Sequence, residues 1–185
     1  MTKSELKEYF KVILIGTINV GQTSFITQFI KDEFDTFDFS SFGSKFVLKN
    51  LEIVKGKYIN FEIWDTIGKE KNKALSKNFY KDAKAIILEY DSTSRKSFEE
   101  LKNYWYVEIE KNGYKDKIVA LISIKNISCL EIQVGNEEAE SFAKQINVNF
   151  VPTPDKNNND IQTLFKNIGL KILIPSLDIS FKETP

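Results

Sequence analysis

The 185-residue chain contains no histidine, one cysteine (Cys129) and one arginine (Arg95). Without an imidazole there is no proton shuttle or triad base of the usual kind, and a lone thiol excludes both an internal disulfide and a cysteine–histidine metal site. Cys129 is expected to be a structural thiol in a reducing, intracellular, cytoplasmic setting. Lysine supplies the remaining basic charge but lacks the rigid guanidinium fork, so any arginine-finger chemistry in cis would rest on Arg95 alone. Neither sign of charge prevails: 26 basic residues balance 26 acidic ones, leaving no global field to draw nucleic acid or anionic lipid. No apolar run is long enough to span a bilayer. Residues 1–10 lack the apolar core of a secretory signal, and Phe181-Lys-Glu-Thr-Pro185 offers no cysteine for prenylation, so no direct lipid anchor is expected.

At 42% hydrophobic residues, the chain is the right size for one α/β domain that buries about 70% of its unfolded surface. Apolar periodicity predicts strands over 10–15, 45–54, 58–65, 85–90, 117–122 and 149–151, and helices over 23–30, 97–112, 136–146 and 160–173. The second and third strands form a hairpin around Lys55-Gly56-Lys57, with a turn read as one residue longer than the shortest type. This alternation predicts a doubly wound α/β domain over 10–174, between a lead-in, 1–9, and a tail, 175–185. The Asn157–Asn159 run reads as a loop ending in the last helix's cap at Asn159 or Asp160, and Pro175 as that helix's stop. Leu177, Ile179 and Phe181 favour docking of the tail on the body or on a partner.

Directly after the first strand stands Gly16-Thr-Ile-Asn19-Val20-Gly21-Gln22-Thr23-Ser24, leading into a helix, the context a phosphate-binding loop requires. Successive backbone N–H groups and a helix N-terminus would face the phosphates. Gln22 stands where the lysine that reaches the outer phosphates is expected. A tight strand-to-helix turn served by Gly16 and Gly21 is the alternative for this fragment.

Two further stretches carry a specific resemblance. Ile63-Trp64-Asp65-Thr66-Ile67-Gly68-Lys69-Glu70 resembles the second switch of Rab-type small GTPases, and Tyr90-Asp91-Ser-Thr-Ser-Arg95-Lys-Ser97-Phe98-Glu99 resembles their strand-to-helix junction. The chain thus resembles a Rab-type member of the Ras superfamily over about residues 10–173. That resemblance implies a P-loop small-GTPase fold: a mostly parallel six-stranded sheet with one antiparallel strand and helices on both faces. It also implies GTP or GDP with magnesium, Phe34 against the base, and Ser41 where the third phosphate is sensed. Thr23, Ser41 and Asp65 would hold the metal if one is bound, and Gly68, Lys125, Thr153 and Lys156 fall on nucleotide-contacting positions.

Departures accumulate at the chemistry. Lys69 occupies the water-orienting glutamine position, so no catalytic residue is assigned and efficient hydrolysis is not expected. Ile18 and Asn19 place larger side chains where the family tends to use small ones. The base-reading Asn-Lys-x-Asp stretch aligns with Ile124-Lys125-Asn126-Ile127, which keeps only the lysine. Each charge-assisted bond lost with the aspartate contributes roughly 1.5–3 kcal/mol, so base selectivity should largely go. The last base loop aligns as Pro152-Thr153-Pro154-Asp155-Lys156, where prolines remove donors and an acid is added.

Phe46, Trp64 and Phe79 fall on the aromatic triad through which Rab-type domains bind protein partners; packing between the switch helix and the sheet is the equally open alternative. Helical spacing can turn only some of Tyr104, Trp105 and Tyr106 inward, so at least one is expected to be exposed. Together with the apolar tail, that would suit a place in a larger assembly. The leading expectation is a Rab-like fold acting as a protein-binding or scaffold module, with weak or absent nucleotide binding and little hydrolysis. The alternative is a divergent but working slow guanine-nucleotide switch in intracellular trafficking, or constitutive occupancy by a structural nucleotide.

Overall fold

The first strand, β1 (Tyr9–Gly16), is buried from Val12 onward on both faces, as a strand with a neighbour on each edge and helices above and below must be. The computed structural model describes residues 8–17, 37–39, 45–65, 77–125, 131–152 and 159–174. Six more strands follow: β2 (Phe37–Phe39), β3 (Lys45–Val54), β4 (Lys57–Asp65), β5 (Ala83–Asp91), β6 (Ile118–Ile124) and β7 (Asn149–Val151). They form one sheet in the order β2-β3-β4-β1-β5-β6-β7, in which β3 alone runs against the rest. The six strands read from the sequence are all present; β2 is an added three-residue edge, too short to leave a periodic signal.

The β3–β4 hairpin differs from its sequence reading. Val54 pairs with Lys57, leaving Lys55-Gly56 as the connection, and the extra residue is absorbed as a register shift between Glu52 and Val54. Gly56 supplies the left-handed conformation at φ 77, and its N–H donates to Glu52 Oε1 at 2.8 Å.

Helices cover both faces. On one lie α1 (Lys77–Tyr80), α2 (residues 95–111) and α3 (Asn136–Gln145). Helix α2 is continuous but takes a π-helical turn over Leu101–Trp105. Its buried Phe98, Leu101, Trp105 and Ile109 meet Ile13, Ile86, Leu88 and Tyr90 of the sheet in one core cluster. Opposite lies α4 (Asn159–Leu173), whose Ile161, Leu164, Phe165 and Ile168 join a second cluster with Val12, Leu14, Phe61, Ile63 and Ile87. Full burial of each such side chain contributes roughly 1.5–3 kcal/mol against conformational entropy. At Gly169 α4 presses on the hairpin so closely that an added Cβ would collide with Ile53 Cδ1 and lie 2.8 Å from its Cγ1.

Three local expectations are corrected. Helix α2 starts at Arg95, not 97, because Ser94 is the cap, its hydroxyl accepting the Ser97 N–H at 3.3 Å. Helix α4 already includes Asn159, which moves its cap to position 158, outside the described residues. Among the three consecutive aromatics of α2, none is exposed: Trp105 is fully buried, and Tyr104 and Tyr106 are half-buried. Tyr104 packs edge-on against Trp105, while Tyr106 meets Phe142 of α3 and lies under the Lys115 ammonium. The last helical bond runs from the Ile174 N–H to the Leu170 carbonyl at 2.8 Å; Pro175 and the tail lie outside the described residues.

Candidate functional site

From β1 the chain leads to β2, β3 and β4 on one side and later to β5, β6 and β7 on the other, so the order reverses beside β1. Open α/β sheets bind ligands outside the carboxyl ends of the strands at such a reversal. Gly16 and buried Thr17 end β1 there, buried Asp65 ends β4, buried Asp91 ends β5, and Ile124 with exposed Lys125 ends β6. Asp65 stands in register with Leu14, one strand across from the start of the phosphate loop. The structure therefore brings Gly16, Asp65 and Lys125 to one edge. Asn19, Val20, Gly21, Gln22, Thr23, Ser24, Phe34, Ser41, Gly68, Lys69, Thr153 and Lys156 lie outside the described residues.

The junction after β5 is tightly bonded. Asp91 Oδ1 accepts from the Thr93 N–H at 2.8 Å and the Thr93 hydroxyl at 2.6 Å, and the Asp91 N–H donates to Ser97 Oγ at 3.0 Å. The Ser92 N–H donates to the Ile124 carbonyl, while the Ser92 carbonyl accepts from Gln133 and Val134. Arg95 clamps the same segment: its N–H donates to Gln133 Oε1, and its guanidinium holds the Gln133 carbonyl and the Glu138 carboxylate. That hydrogen-bonded pairing raises the Arg95 pKa and lowers that of Glu138. The one guanidinium of the chain is thus committed to structure, with a carboxylate partner on α3.

One site residue escaped the sequence reading. Glu89 is fully buried within β5, in register with Gly16 on β1 and Ile122 on β6. Strand alternation puts it on the face of Ala85 and Ile87, which belong to the α4-side cluster. A buried carboxyl group therefore lies one strand across from Gly16, on the α4 side of the sheet. The available signal was a single acid inside an otherwise apolar six-residue run. Three acidic residues, Asp65 on β4 and Glu89 and Asp91 on β5, thus end or nearly end the two strands that flank β1; among the described residues no group of three metal-type side chains is arranged to hold an ion. Glu89 thus places a buried carboxyl group one strand across from Gly16.

The aromatic triad is assembled, with unequal exposure. Phe46 stacks on Trp64 with centroids 5.4 Å apart and planes at 20°, and Trp64 meets the edge of Phe79 at 5.6 Å and 85°. Trp64 is 8% and Phe79 4% exposed, whereas Phe46 is half-buried. Lys11 Nζ lies 4.2 Å from the Trp64 ring centre and donates to the Phe79 carbonyl at 2.6 Å, fixing both rings to β1. On the same face of β4 the rings give way to half-buried Glu62 and Asn60 and exposed Tyr58.

These features define a doubly wound α/β domain with its candidate ligand edge at the β1 reversal and its aromatic stack on the hairpin. The family model for the Ras family matches residues 11–174. The chain is 33% identical to the Ras-related protein Rab-13 of Rattus norvegicus over 165 residues, 89% of this chain and 80% of that protein. It is 31% identical to the GTP-binding protein ypt5 of Schizosaccharomyces pombe over 163 residues, 88% of this chain and 77% of that protein. To the Ras-related protein SEC4 of Candida albicans it is 29% identical over 155 residues, 84% of this chain and 73% of that protein. The chain belongs to the Ras family. Among the described residues no helix is long and apolar enough to cross a membrane.

Proposed function

We propose that this protein uses a Ras-family fold as a cytoplasmic protein-binding or scaffold module, with weak or absent binding of GTP or GDP and little hydrolysis. The observation that carries this reading is Glu89: a fully buried carboxylate in register with Gly16, in a chain whose phosphate loop has Gln22 in place of lysine. The phosphate loop has lost its cation, and a carboxyl group stands one strand across from its first glycine. Ile127 at the guanine-reading position and Lys69 at the water-orienting position act in the same direction. Nothing in this reading calls for nucleic acid.

The partner surface in this proposal centres on Phe46, the least covered ring of the stack, and continues over Glu62, Asn60 and Tyr58. Trp64 and Phe79 hold Phe46 in place from below. The domain runs over 10–174, with a lead-in, 1–9, and a tail, 175–185, and its place is in a larger assembly. The second reading is a slow guanine switch: Asp65 keeps a buried acid at the metal position, Thr23 and Ser41 keep hydroxyls, and the relative from Schizosaccharomyces pombe is named a GTP-binding protein. Titration of fluorescent GTP into Gln22→Lys, Glu89→Val and the double variant separates the two. The proposal expects affinity to rise at least tenfold in the double variant. A folded double variant with unchanged affinity means that charge at the phosphate end does not limit the site.

A further inference from the structure

At the opposite end of the sheet from the candidate site, a cavity of about 360 Å³ opens between α4 and the starts of β1, β5 and β6. Its described lining is apolar within, from Phe10, Val119, Ile168 and Ile172, and basic at the rim, from Lys84, Lys117 and Lys171, with Asp116 the one acid. Lys171 and Ile172 belong to the last turn of α4, so the helix delivers the following chain to the rim of this cavity. Ile174 still makes a helical bond and is 47% exposed.

We propose that the segment 175–185 folds back and occupies this cavity in cis. In that segment Leu177, Ile179 and Phe181 alternate with Asp178, Ser180 and Lys182, a period of two that puts three apolar side chains on one face of an extended chain. Asp178 and Glu183 against Lys182 leave the segment net acidic, while three lysines against Asp116 leave the cavity rim net basic. Reach is sufficient: at ~3.3 Å per residue, Leu177 lies within about 10 Å of Ile174 and Phe181 within about 23 Å. Tethering to α4 supplies a high effective concentration, so even a modest contact stays closed. A partner that captures the segment must first withdraw it, which exposes the cavity.

The test attaches a nitroxide to Thr184→Cys in a Cys129→Ser background of the full chain and reads paramagnetic broadening of backbone amides. The expected result is broadening at Lys84, Ala85, Val119 and Asn167, with Ser92 and Gln133 at the opposite end of the sheet unaffected. The broadening should disappear when Leu177, Ile179 and Phe181 are all replaced by serine, and weaken with Lys171→Glu, neither of which alters the core. Broadening absent or located elsewhere overturns the proposal. So does broadening seen only between labelled and isotope-enriched molecules in a mixed sample, which would make the occupant a second copy's segment.

Discussion

Replacing Trp64 by alanine distinguishes a ring that holds the fold from one that holds a partner. Trp64 is 8% exposed, stacked under Phe46 at 5.4 Å, edge-on to Phe79 at 5.6 Å and capped by Lys11 Nζ at 4.2 Å. Truncating a buried tryptophan costs roughly 3–5 kcal/mol, and the lost ring pairs fall within that figure. A domain of this size has about 5–15 kcal/mol in all, so the variant should remain folded but marginal. With a urea slope of about 2 kcal/mol per molar, a loss of 4 lowers the unfolding midpoint by about 2 M. Phe46→Ala, at a half-buried ring, should cost about 1–2 kcal/mol and leave a folded protein that no longer retains its partner. Urea melts followed by far-ultraviolet circular dichroism report both without depending on the deleted fluorophore. A Trp64→Ala midpoint within about 0.5 M of the parent would refute the placement of this ring in the core.

Gly169→Ala tests the approach of α4 to the hairpin: the gain of about 1 kcal/mol in helix propensity should be outweighed by overpacking of about 1–3 against Ile53. Ile53→Ala in the same chain should show a favourable coupling in a double-mutant cycle, whereas a Gly169→Ala protein more stable than its parent would contradict the packing. Burial pushes the Tyr90 phenol up to about 12 from 10.0, and that of Tyr80 upward as well. The unfolded chain then ionises near pH 10 while the folded one keeps its protons, so stability is full below pH 10 and falls as pH rises toward 12. Tyr90→Phe should move the alkaline unfolding midpoint upward, read as ellipticity against pH; an unchanged midpoint would place the loss elsewhere.

Much of the architecture was legible because alternation leaves a mark on residue types. The bounds of β3 and β7 agree with the sequence reading, since Val, Ile and Phe recur there between turn residues. Strand β2 did not show because three residues carry no period, and α2 begins two residues before its expected start because Ser94 provides the cap. Depth was the harder quantity. Phe46, Trp64 and Phe79 look alike in a sequence, and only the Lys11 clamp and the place of Trp64 and Phe79 in the core cluster reveal which ring remains accessible. The same blindness hid Glu89, one acid in Ala-Lys-Ala-Ile-Ile-Leu-Glu-Tyr-Asp, whose meaning comes from its neighbour across the strand rather than from its neighbours along it.

The most direct test of the altered nucleotide site is the nucleotide content of gently purified protein, released by denaturation and resolved, followed by titration with fluorescent GTP, GDP and ATP analogues in magnesium. An empty site with no saturable binding is the outcome predicted from Gln22, Glu89 and Ile127. Stoichiometric GDP or GTP would contradict it and make the slow guanine switch the correct description of this chain.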